Sequence, residues 1–344
     1  MLNIAKRTRT LENCEVGHIP EDISSYTEPV ILKGIVKNWE MVELGQRSVP
    51  KTVEYLKSFY NGKPTFAYFG APELQGRYGY NADVTQLNYE SRATQIDEVL
   101  DLILQHLDDD HPPSYYIASN VIDQSFPKFR EHNDLHIPIK PNEVTTEPPV
   151  PSIWIGNKSV ARGHYDASDN IACCVVGKRR FITFPPDQIE NLYPGPLSPT
   201  PGGQALTMVD IHNPDFSQYP NYKKAQAAGQ VAELEPGDGI FIPSMWWHQV
   251  EGLSQFNVLV NYWWSDAPKF MGSAMNVLYH AMLSLRDKPQ HEKDAWKHVF
   301  NYYIFGDGSQ SAAHLPEHAR GFLEEMDERK SKQLRSMLLN KLNR

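Results

Sequence analysis

The stretch of sequence that most constrains the fold is Gly163–Thr183, GHYDASDNIACCVVGKRRFIT. It holds two runs of strand-forming residues separated by Gly177-Lys178, which is typical of two β-strands joined by a turn. His164 and Asp166 are two positions apart, and a strand directs such residues to the same face of a sheet. A buried His or Asp without a partner costs about 1–3 kcal/mol, and a shared metal ion removes that cost. The stretch therefore predicts a β-sheet whose interior face carries a pair of metal ligands.

The alternation of side chains along these strands also indicates which other residues share the interior. Asn170 has the same parity as His164 in the first strand. In the second strand, parity turns Arg179 inward and leaves Lys178 on the opposite side. A register slip of one residue would exchange the two cations, so Lys178 is the alternative inward residue, and a surface position for Arg179 also stays open.

The same His-x-Asp spacing occurs a second time, at His132 and Asp134, with His136 beyond it. This copy lies in a polar, charged stretch, FREHNDLH, that has no strand pattern. We expect a surface loop or the frayed end of a helix there, and not a metal site.

A third candidate ligand, His248, lies in the stretch AELEPGDGIFIPSMWWHQVEG. The segment Pro236–Gly239 is a strong turn signal that joins one short strand to the next. Two histidines and one carboxylate, with the remaining positions open, form the facial triad of non-haem Fe(II) oxygenases. A core histidine bonded to backbone is the alternative for His248. Together with His164 and Asp166, the turn pattern favours His248 as the third ligand.

Five segments, taken together and in order, are specific to one family: GHYDASDN, GKRRFITFPPDQIENLYPGP, NPDFSQYPNY, EPGDGIFIPSMWWHQVEG and VNYWW. They resemble the JmjC and cupin-like Fe(II)- and 2-oxoglutarate-dependent oxygenases, from about Pro29 to Pro268. Within that family the sequence is most similar to the asparaginyl hydroxylase that acts on hypoxia-inducible factor and to bacterial cupin-like proteins. The resemblance implies a mainly β fold with helices, in which a double-stranded β-helix (a jelly-roll barrel) holds Fe(II) and 2-oxoglutarate.

The resemblance also implies roles for the candidate residues. His164, Asp166 and His248 would bind Fe(II) and leave positions for 2-oxoglutarate and O2. The far carboxylate of 2-oxoglutarate needs a cation inside the barrel, because a buried unpaired charge is costly. Arg179 occupies the position where the asparaginyl hydroxylase has a lysine, with Lys178 as the alternative.

Tyr116, Asn170 and Asn261 match residues that bind or surround 2-oxoglutarate in the family. Each also has an ordinary structural explanation, as a core tyrosine or as an amide that satisfies backbone groups. One position departs from the family: Ala161, three residues before the first histidine, replaces a hydroxyl-bearing residue. With arginine in place of lysine, this departure predicts a rearranged carboxylate pocket and leaves open which 2-oxo acid binds.

The activity implied by the resemblance is hydroxylation coupled to decarboxylation of 2-oxoglutarate to succinate. The complete triad and the inward cation favour an enzyme, a 2-oxoglutarate-dependent dioxygenase, over a non-catalytic module. A protein or peptide side chain is the substrate that we expect first, although the triad and the cation do not distinguish it from a metabolite. The same chemistry on a small metabolite and a non-catalytic, metal-binding cupin module both stay open. Lysine demethylation is possible by family, although no motif for a methylammonium cage is visible.

Composition argues against several other classes. The chain has 33 basic and 42 acidic residues, a net charge of −9, and no Lys/Arg-rich face, so we expect no nucleic-acid partner. No apolar run approaches the length of a membrane span, and no apolar stretch follows the basic N-terminal residues, so we expect neither a membrane anchor nor a secretory signal. Three cysteines do not make a disulfide framework. We therefore expect a cytoplasmic protein.

The order of the patterns predicts three regions: an N-terminal α/β extension packed on the barrel (residues 1–113), the barrel core (114–268) and a helical region (269–344). The long insertions Pro194–Gly203 and Asp210–Gln226 are expected to be irregular and to rim the mouth of the site. The apolar stripes of the C-terminal helices need something to pack on. They either cap the barrel or, as in the resembling hydroxylase, form a homodimer, which is the state we expect.

Overall fold

The computed structural model describes residues 2–137 and 148–343. Within them the chain divides into two compact units, of which the first comprises residues 2–137 and 148–265 and the second residues 266–343. The first unit holds every β-strand of the described residues, and the second is helical. The predicted fold class, mainly β with helices, is confirmed.

Fourteen strands pair into two sheets in the described part of the chain. Their bounds are β1 Arg9–Leu11, β2 Val30–Leu32, β3 Thr65–Gly70, β4 Arg77–Tyr78, β5 Glu90–Thr94, β6 Ser114–Val121, β7 Val150–Gly156, β8 Ser159–His164, β9 Asp169–Val176, β10 Arg179–Phe184, β11 Gln230–Leu234, β12 Gly239–Ile242, β13 Trp247–Gly252 and β14 Asn257–Trp264. One sheet has the order β1-β2-β12-β9-β14-β7-β6-β3-β5, and the other β11-β10-β13-β8-β4. Both mix parallel and antiparallel neighbours and stay open at their edges, in keeping with the predicted jelly roll.

Helices flank the strands of the first unit and make up the second. Those of the first unit are α1 Glu40–Gly45, α2 Val49–Phe59, α3 Ile96–Gln105, α4 Ile122–Ser125 and α5 Tyr222–Ala228. Those of the second are α6 Ala274–Ser284, α7 Gln290–Phe300, α8 Gly308–Ser311 and α9 Glu328–Leu342. Among the described residues, no helix combines the length and the apolar character needed to cross a membrane.

Strand β9 shows how the period of two builds the core. Cys173 belongs to the large apolar cluster that also holds Val53 of α2 and Leu100 of α3. Its neighbours Ala172 and Cys174 belong to a different cluster, between the sheets. Opposite faces of one strand thus bury different halves of the core, and the residues with the parity of Ala172 point toward the site.

The second predicted insertion is only partly irregular, because it ends in α5. Tyr222 and Ala225 lie three positions apart on this short helix and are fully buried in the cluster around Phe184. The expectation of irregular structure up to Gln226 is therefore wrong at its C-terminal end. Two buried residues in seven are too short a pattern to distinguish a helix from a loop in the sequence.

The turn between β11 and β12 is fixed by the buried carboxylate of Asp238. Its oxygens accept hydrogen bonds from the backbone N–H groups of Gly34 and Glu235, both at 3.0 Å. The ammonium group of Lys33 donates a third, at 2.8 Å. Asp238 therefore ties the loop after β2 to the hairpin that precedes the predicted ligand His248.

Replacing Asp238 with alanine is expected to lower the free energy of unfolding by about 2–4 kcal/mol, because two backbone donors and an ammonium group lose an ionised acceptor. Urea unfolding followed by tryptophan fluorescence measures the change. Asp187→Ala is the control, because Asp187 is exposed and accepts only from the neighbouring Gln188 side chain. Equal stability of the two variants would show that the turn does not depend on Asp238.

Candidate metal centre

Two antiparallel strands bring the predicted histidine ligands together. In the pairing of β8 with β13, His164 lies directly opposite His248, and the ring centroids are 4.5 Å apart. Asp166 follows β8, and its Oδ2 atom is 3.6 Å from Nε2 of His248. One ligand atom from each residue lies within 4.8 Å of the other two, and no other such group of three occurs in residues 2–137 and 148–343.

Backbone hydrogen bonds fix the tautomer of both imidazoles. Nδ1 of His164 lies 2.8 Å from the carbonyl oxygen of Arg162, and Nδ1 of His248 lies 2.9 Å from that of Trp246. A carbonyl oxygen only accepts, so each Nδ1 carries a proton. Each Nε2 therefore presents a lone pair, as metal binding requires.

The electrostatics of the group suit a cation. Burial by itself raises the pKa of Asp166, but its interactions with the imidazoles of His248 and His164 outweigh this effect and lower the pKa to about 2. Burial, with the neighbouring His248, lowers the pKa of His164. At neutral pH Asp166 is ionised and His164 is neutral, which are the protonation states in which these groups bind metals.

The three residues line a cavity of about 410 Å³ that also holds a buried, unpaired guanidinium. The side chain of Arg179 is 1 % exposed, and its Nε and Nη2 atoms have no hydrogen-bond partner among the described residues. An uncompensated buried cation costs several kcal/mol. An anion bound at this position would compensate the charge.

Strand alternation on β10 explains why Arg179, and not its neighbours, points inward. Arg180 lies on the outer side and forms ion pairs with Glu233 and Glu251. Lys178 precedes the strand, is exposed and pairs with Glu235 at 2.9 Å. The register slip that would bring Lys178 inward does not occur, so the structure places this alternative outside the cavity lining.

The other residues predicted to surround 2-oxoglutarate all line the same cavity. Nδ2 of Asn261 donates to Oδ1 of Asn170 at 3.0 Å, and Trp154 Nε1 donates to Oδ1 of Asn261 at 2.8 Å, so both amides are held in place. Burial raises the pKa of Tyr116, and the nearby charge of Arg179 partly offsets this shift. Ala161 also lines the cavity, without a hydroxyl group to offer.

Sequence reasoning missed an aromatic wall of this cavity, formed by Tyr68, Tyr78 and Tyr89. The ring of Tyr78 stacks on that of Tyr116, with centroids 5.7 Å apart, and Tyr68 lies 4.5 Å from Tyr89. These residues come from β3, β4 and the connector that follows. The density of tyrosines in GRYGYNADVTQLNYES was the available signal, but no periodicity placed them.

The two insertions behave differently at the mouth of the cavity. Pro201 and Gly202 of the first insertion line it, which confirms the expectation for Pro194–Gly203. No residue of Asp210–Gln226 is part of the lining, so that half of the expectation is wrong. The reason is the burial of its residues against β10 and β11 in a separate apolar cluster.

The second His-x-Asp copy forms no metal site in the described residues. It lies in a loop, as expected, but this loop is not a surface feature throughout. Asn133 is fully buried and accepts a hydrogen bond from the backbone of Met41, and Asp134 accepts one from the hydroxyl of Tyr262. His132 remains exposed. These polar residues connect the loop to the core.

Comparison with known proteins finds a matching family model and several similar sequences. A family model described as a cupin-like domain matches residues 18–270. Lysine-specific demethylase JMJ31 of Arabidopsis thaliana is 34 % identical over 131 residues, 36 % of this chain and 23 % of that protein. Lysine-specific demethylase 8 of Xenopus tropicalis is 25 % identical over 241 residues, which are 69 % of this chain and 48 % of that protein. tRNA wybutosine-synthesizing protein 5 of Gallus gallus is 32 % identical over 146 residues, which are 38 % of this chain and 43 % of that protein. The chain spans less than half the length of each of these relatives.

Proposed function

This chain belongs to the family of cupin-like domains, and on that premise we propose that it is an Fe(II)- and 2-oxoglutarate-dependent oxygenase. One observation supports the proposal above all others. The triad of His164, Asp166 and His248 and the unpaired guanidinium of Arg179 line a single cavity.

The residues present fit both groups. Two imidazole nitrogens and one carboxylate are a donor set suited to Fe(II), and three protein ligands would leave the remaining positions of the ion open. The positions left open are those that the keto acid end of 2-oxoglutarate and O2 require. The two unpaired nitrogens of Arg179 match the two oxygens of a carboxylate, and such paired bonds between charged groups are among the strong ones in proteins.

Bound Fe(II) supplies the redox chemistry, in which O2 and 2-oxoglutarate give succinate, CO2 and a hydroxylated substrate. The chain supplies position and environment. His164, Asp166 and His248 hold the metal, and Arg179 with Tyr116 binds the far carboxylate of the co-substrate. The fixed amides of Asn170 and Asn261 shape the space between, and the aromatic wall excludes water.

A protein or peptide side chain is the substrate class that we propose first, and a small metabolite is the alternative for the same chemistry. The relatives named above include lysine-specific demethylases and a tRNA wybutosine-synthesizing protein, so demethylation and RNA modification are further alternatives. The net charge of −9 disfavours an RNA substrate. For the compartment we propose the cytoplasm, because Cys14, Cys173 and Cys174 are all free thiols.

The direct test is turnover of the co-substrate. Purified protein is supplied with Fe(II), ascorbate, O2 and 2-oxoglutarate, and succinate is quantified by mass spectrometry with and without candidate peptides and metabolites. We expect succinate above the protein-free background, and more of it with a substrate that gains one oxygen atom. No succinate at full metal loading in every arm would favour the non-catalytic, metal-binding cupin module.

We also propose that the chain forms a homodimer through its C-terminal helices. Sixteen of the 21 exposed large apolar side chains of the described residues lie between Met271 and Leu342. On α9, Leu338, Leu339 and Leu342 follow helical spacing and are each more than 40 % exposed. Such a surface is unfavourable in water unless another surface covers it.

The double variant Leu339→Glu/Leu342→Glu is expected to convert the dimer into a monomer of 39.3 kDa, because two carboxylates would be buried at the interface. Multi-angle light scattering measures the mass. Lys332→Gln, an exposed position on the same helix, should leave the dimer intact. A monomeric wild-type chain, or a dimer that survives both glutamates, would refute this interface.

A further inference from the structure

A second arginine, Arg162, lines this cavity and also a smaller neighbouring pocket that contains Asp210. It lies on β8, two residues before His164, and its half-buried side chain lines the same cavity as the triad. Among the described residues no carboxylate oxygen lies within 4.0 Å of its guanidinium nitrogens, and none of these nitrogens donates a hydrogen bond. Arg162 is thus available to a ligand.

Asp210 is the acidic residue whose charge acts on Arg162, and its carboxylate already accepts hydrogen bonds from other groups. Its Oδ2 atom accepts from Nη1 of Arg77 at 3.0 Å. Its Oδ1 atom accepts from the backbone N–H groups of His212 at 3.0 Å and Asn213 at 3.3 Å. Asp210 favours the charged form of Arg162 through its charge, but its hydrogen bonds and ion pair are to other groups, so a ligand anion has no direct competitor at Arg162 among the described residues.

The fold leaves space for the side chain of Arg162 by placing a glycine beside it. A Cβ atom at Gly79 would lie 2.8 Å from Cδ and 3.0 Å from Nε of Arg162, closer than real Cβ contacts. The backbone of Gly79 is not in the left-handed region, so its conformation does not require glycine. The glycine at position 79 therefore leaves the space that the side chain of Arg162 occupies.

The charges that line the cavity define what remains to be bound. They are Arg162, Asp166 and Arg179. Asp166 is a metal ligand in the proposed function, and Arg179 takes the far carboxylate of 2-oxoglutarate. Among the residues that line the cavity, Arg162 is then the charged residue without a role in binding the metal or the co-substrate.

We propose that Arg162 binds an anionic group of the prime substrate, a carboxylate or a phosphate, and so determines substrate specificity. This inference rests on the proposed function and names the substrate class of the same site. A planar guanidinium that is partly shielded from water binds either group through paired hydrogen bonds. A substrate without an anion would leave Arg162 desolvated and unpaired, which disfavours its binding.

Isothermal titration calorimetry with matched probes tests the inference. The protein is loaded with Mn(II) and 2-oxoglutarate, which occupy the triad and Arg179 without turnover. Benzoate, its uncharged analogue benzamide, and inorganic phosphate are then titrated. We expect saturable binding of at least one of the two anions and none of benzamide. Arg162→Gln is expected to weaken anion binding by about tenfold or more and to change the affinity for 2-oxoglutarate less than twofold.

Two matched pairs of variants separate position from charge. Gly79→Ala should weaken anion binding severalfold by displacing Arg162, whereas Gly202→Ala should not, because Gly202 lines the same cavity but a Cβ there meets no atom closer than 3.7 Å. Arg180→Gln removes a cation outside the cavity and should also leave binding unchanged. A similar loss in Arg180→Gln or Gly202→Ala would overturn the assignment.

The inference is also overturned if wild-type protein binds neither benzoate nor phosphate, or if it binds benzamide as well as benzoate. A large loss of 2-oxoglutarate affinity in Arg162→Gln would assign Arg162 to the co-substrate instead. Repeating the benzoate titration in Arg179→Met without metal keeps the test independent of the oxygenase proposal. Arg162-dependent binding there would support this inference even if the protein formed no succinate.

Discussion

His164→Ala is expected to lower the affinity for a divalent metal by on the order of a thousandfold and to reduce succinate formation to background. The variant leaves two of the three ligand atoms that lie within 4.8 Å of one another. Changes to groups that merely orient a ligand cost about 10–100-fold in metal affinity, so loss of a direct ligand costs more. Mn(II) binding, followed by electron paramagnetic resonance, measures the affinity without turnover.

The chain provides a matched control in its second His-x-Asp copy. His132 has the same spacing to an aspartate, but it is exposed and belongs to no group of three ligands in the described residues. His132→Ala should leave Mn(II) affinity and succinate formation unchanged. Circular dichroism must show that both variants are folded. Unchanged Mn(II) affinity in a folded His164→Ala variant would refute the metal centre.

Arg179→Met is expected to have two effects of opposite sign. Loss of a buried cation that donates two hydrogen bonds to the carboxylate should raise the Michaelis constant and the dissociation constant for 2-oxoglutarate by on the order of a hundredfold. The ligand-free protein, however, should become more stable by about 1–3 kcal/mol, because two buried nitrogens without partners are replaced by an apolar side chain. Denaturant unfolding and calorimetry measure the two effects separately.

Lys178→Met is the control for this experiment, because Lys178 is the alternative cation and pairs with Glu235 in solvent. It should change neither the affinity for 2-oxoglutarate nor the stability by a measurable amount. If the Michaelis constant for 2-oxoglutarate stayed at its wild-type value in Arg179→Met, the role assigned to Arg179 would be rejected. If it rose in Lys178→Met instead, the register of β10 would be in question.

The sequence predicts those parts of the site that depend on patterns among neighbouring residues. Alternation along β10 is a property of neighbouring residues, and it orients Arg179 correctly toward the cavity. The prediction that His164, Asp166 and Asn170 share one strand is wrong. His164 ends β8, Asp166 lies in the loop after it, and Asn170 belongs to β9 of the other sheet, although all three line the cavity. The turn before β13 is likewise marked by adjacent residues, Pro236 to Gly239. Alternation does not give the pairing of β8 with β13 that places His164 opposite His248. The donor set of a facial triad, the turn pattern before His248 and the family resemblance suggested that the two histidines meet.

The aromatic wall escaped prediction because long-range contacts place it. Tyr78 reaches the cavity because β4 pairs with β8, about eighty positions later in the chain. Tyr68 reaches it because β3 pairs with β6. No local sequence pattern encodes either pairing. Arg162 and its space at Gly79 escaped for the same reason, since nothing near Gly79 in the sequence reveals which side chain needs the room.

The burial of Asn133 has a similar cause. Its neighbours in sequence are charged and predict an exposed position. Its amide oxygen, however, accepts a hydrogen bond from the backbone N–H group of Met41, 92 positions earlier. A polar residue whose partners are distant cannot be distinguished from a solvated one by local composition.

The structure of the protein crystallised with Mn(II) and 2-oxoglutarate tests the central proposal most directly. We expect one ion bonded to Nε2 of His164, Nε2 of His248 and a carboxylate oxygen of Asp166, with the keto acid on the same ion and its far carboxylate on Arg179. An ion bound at other residues, or 2-oxoglutarate found outside this cavity, would contradict the proposed oxygenase.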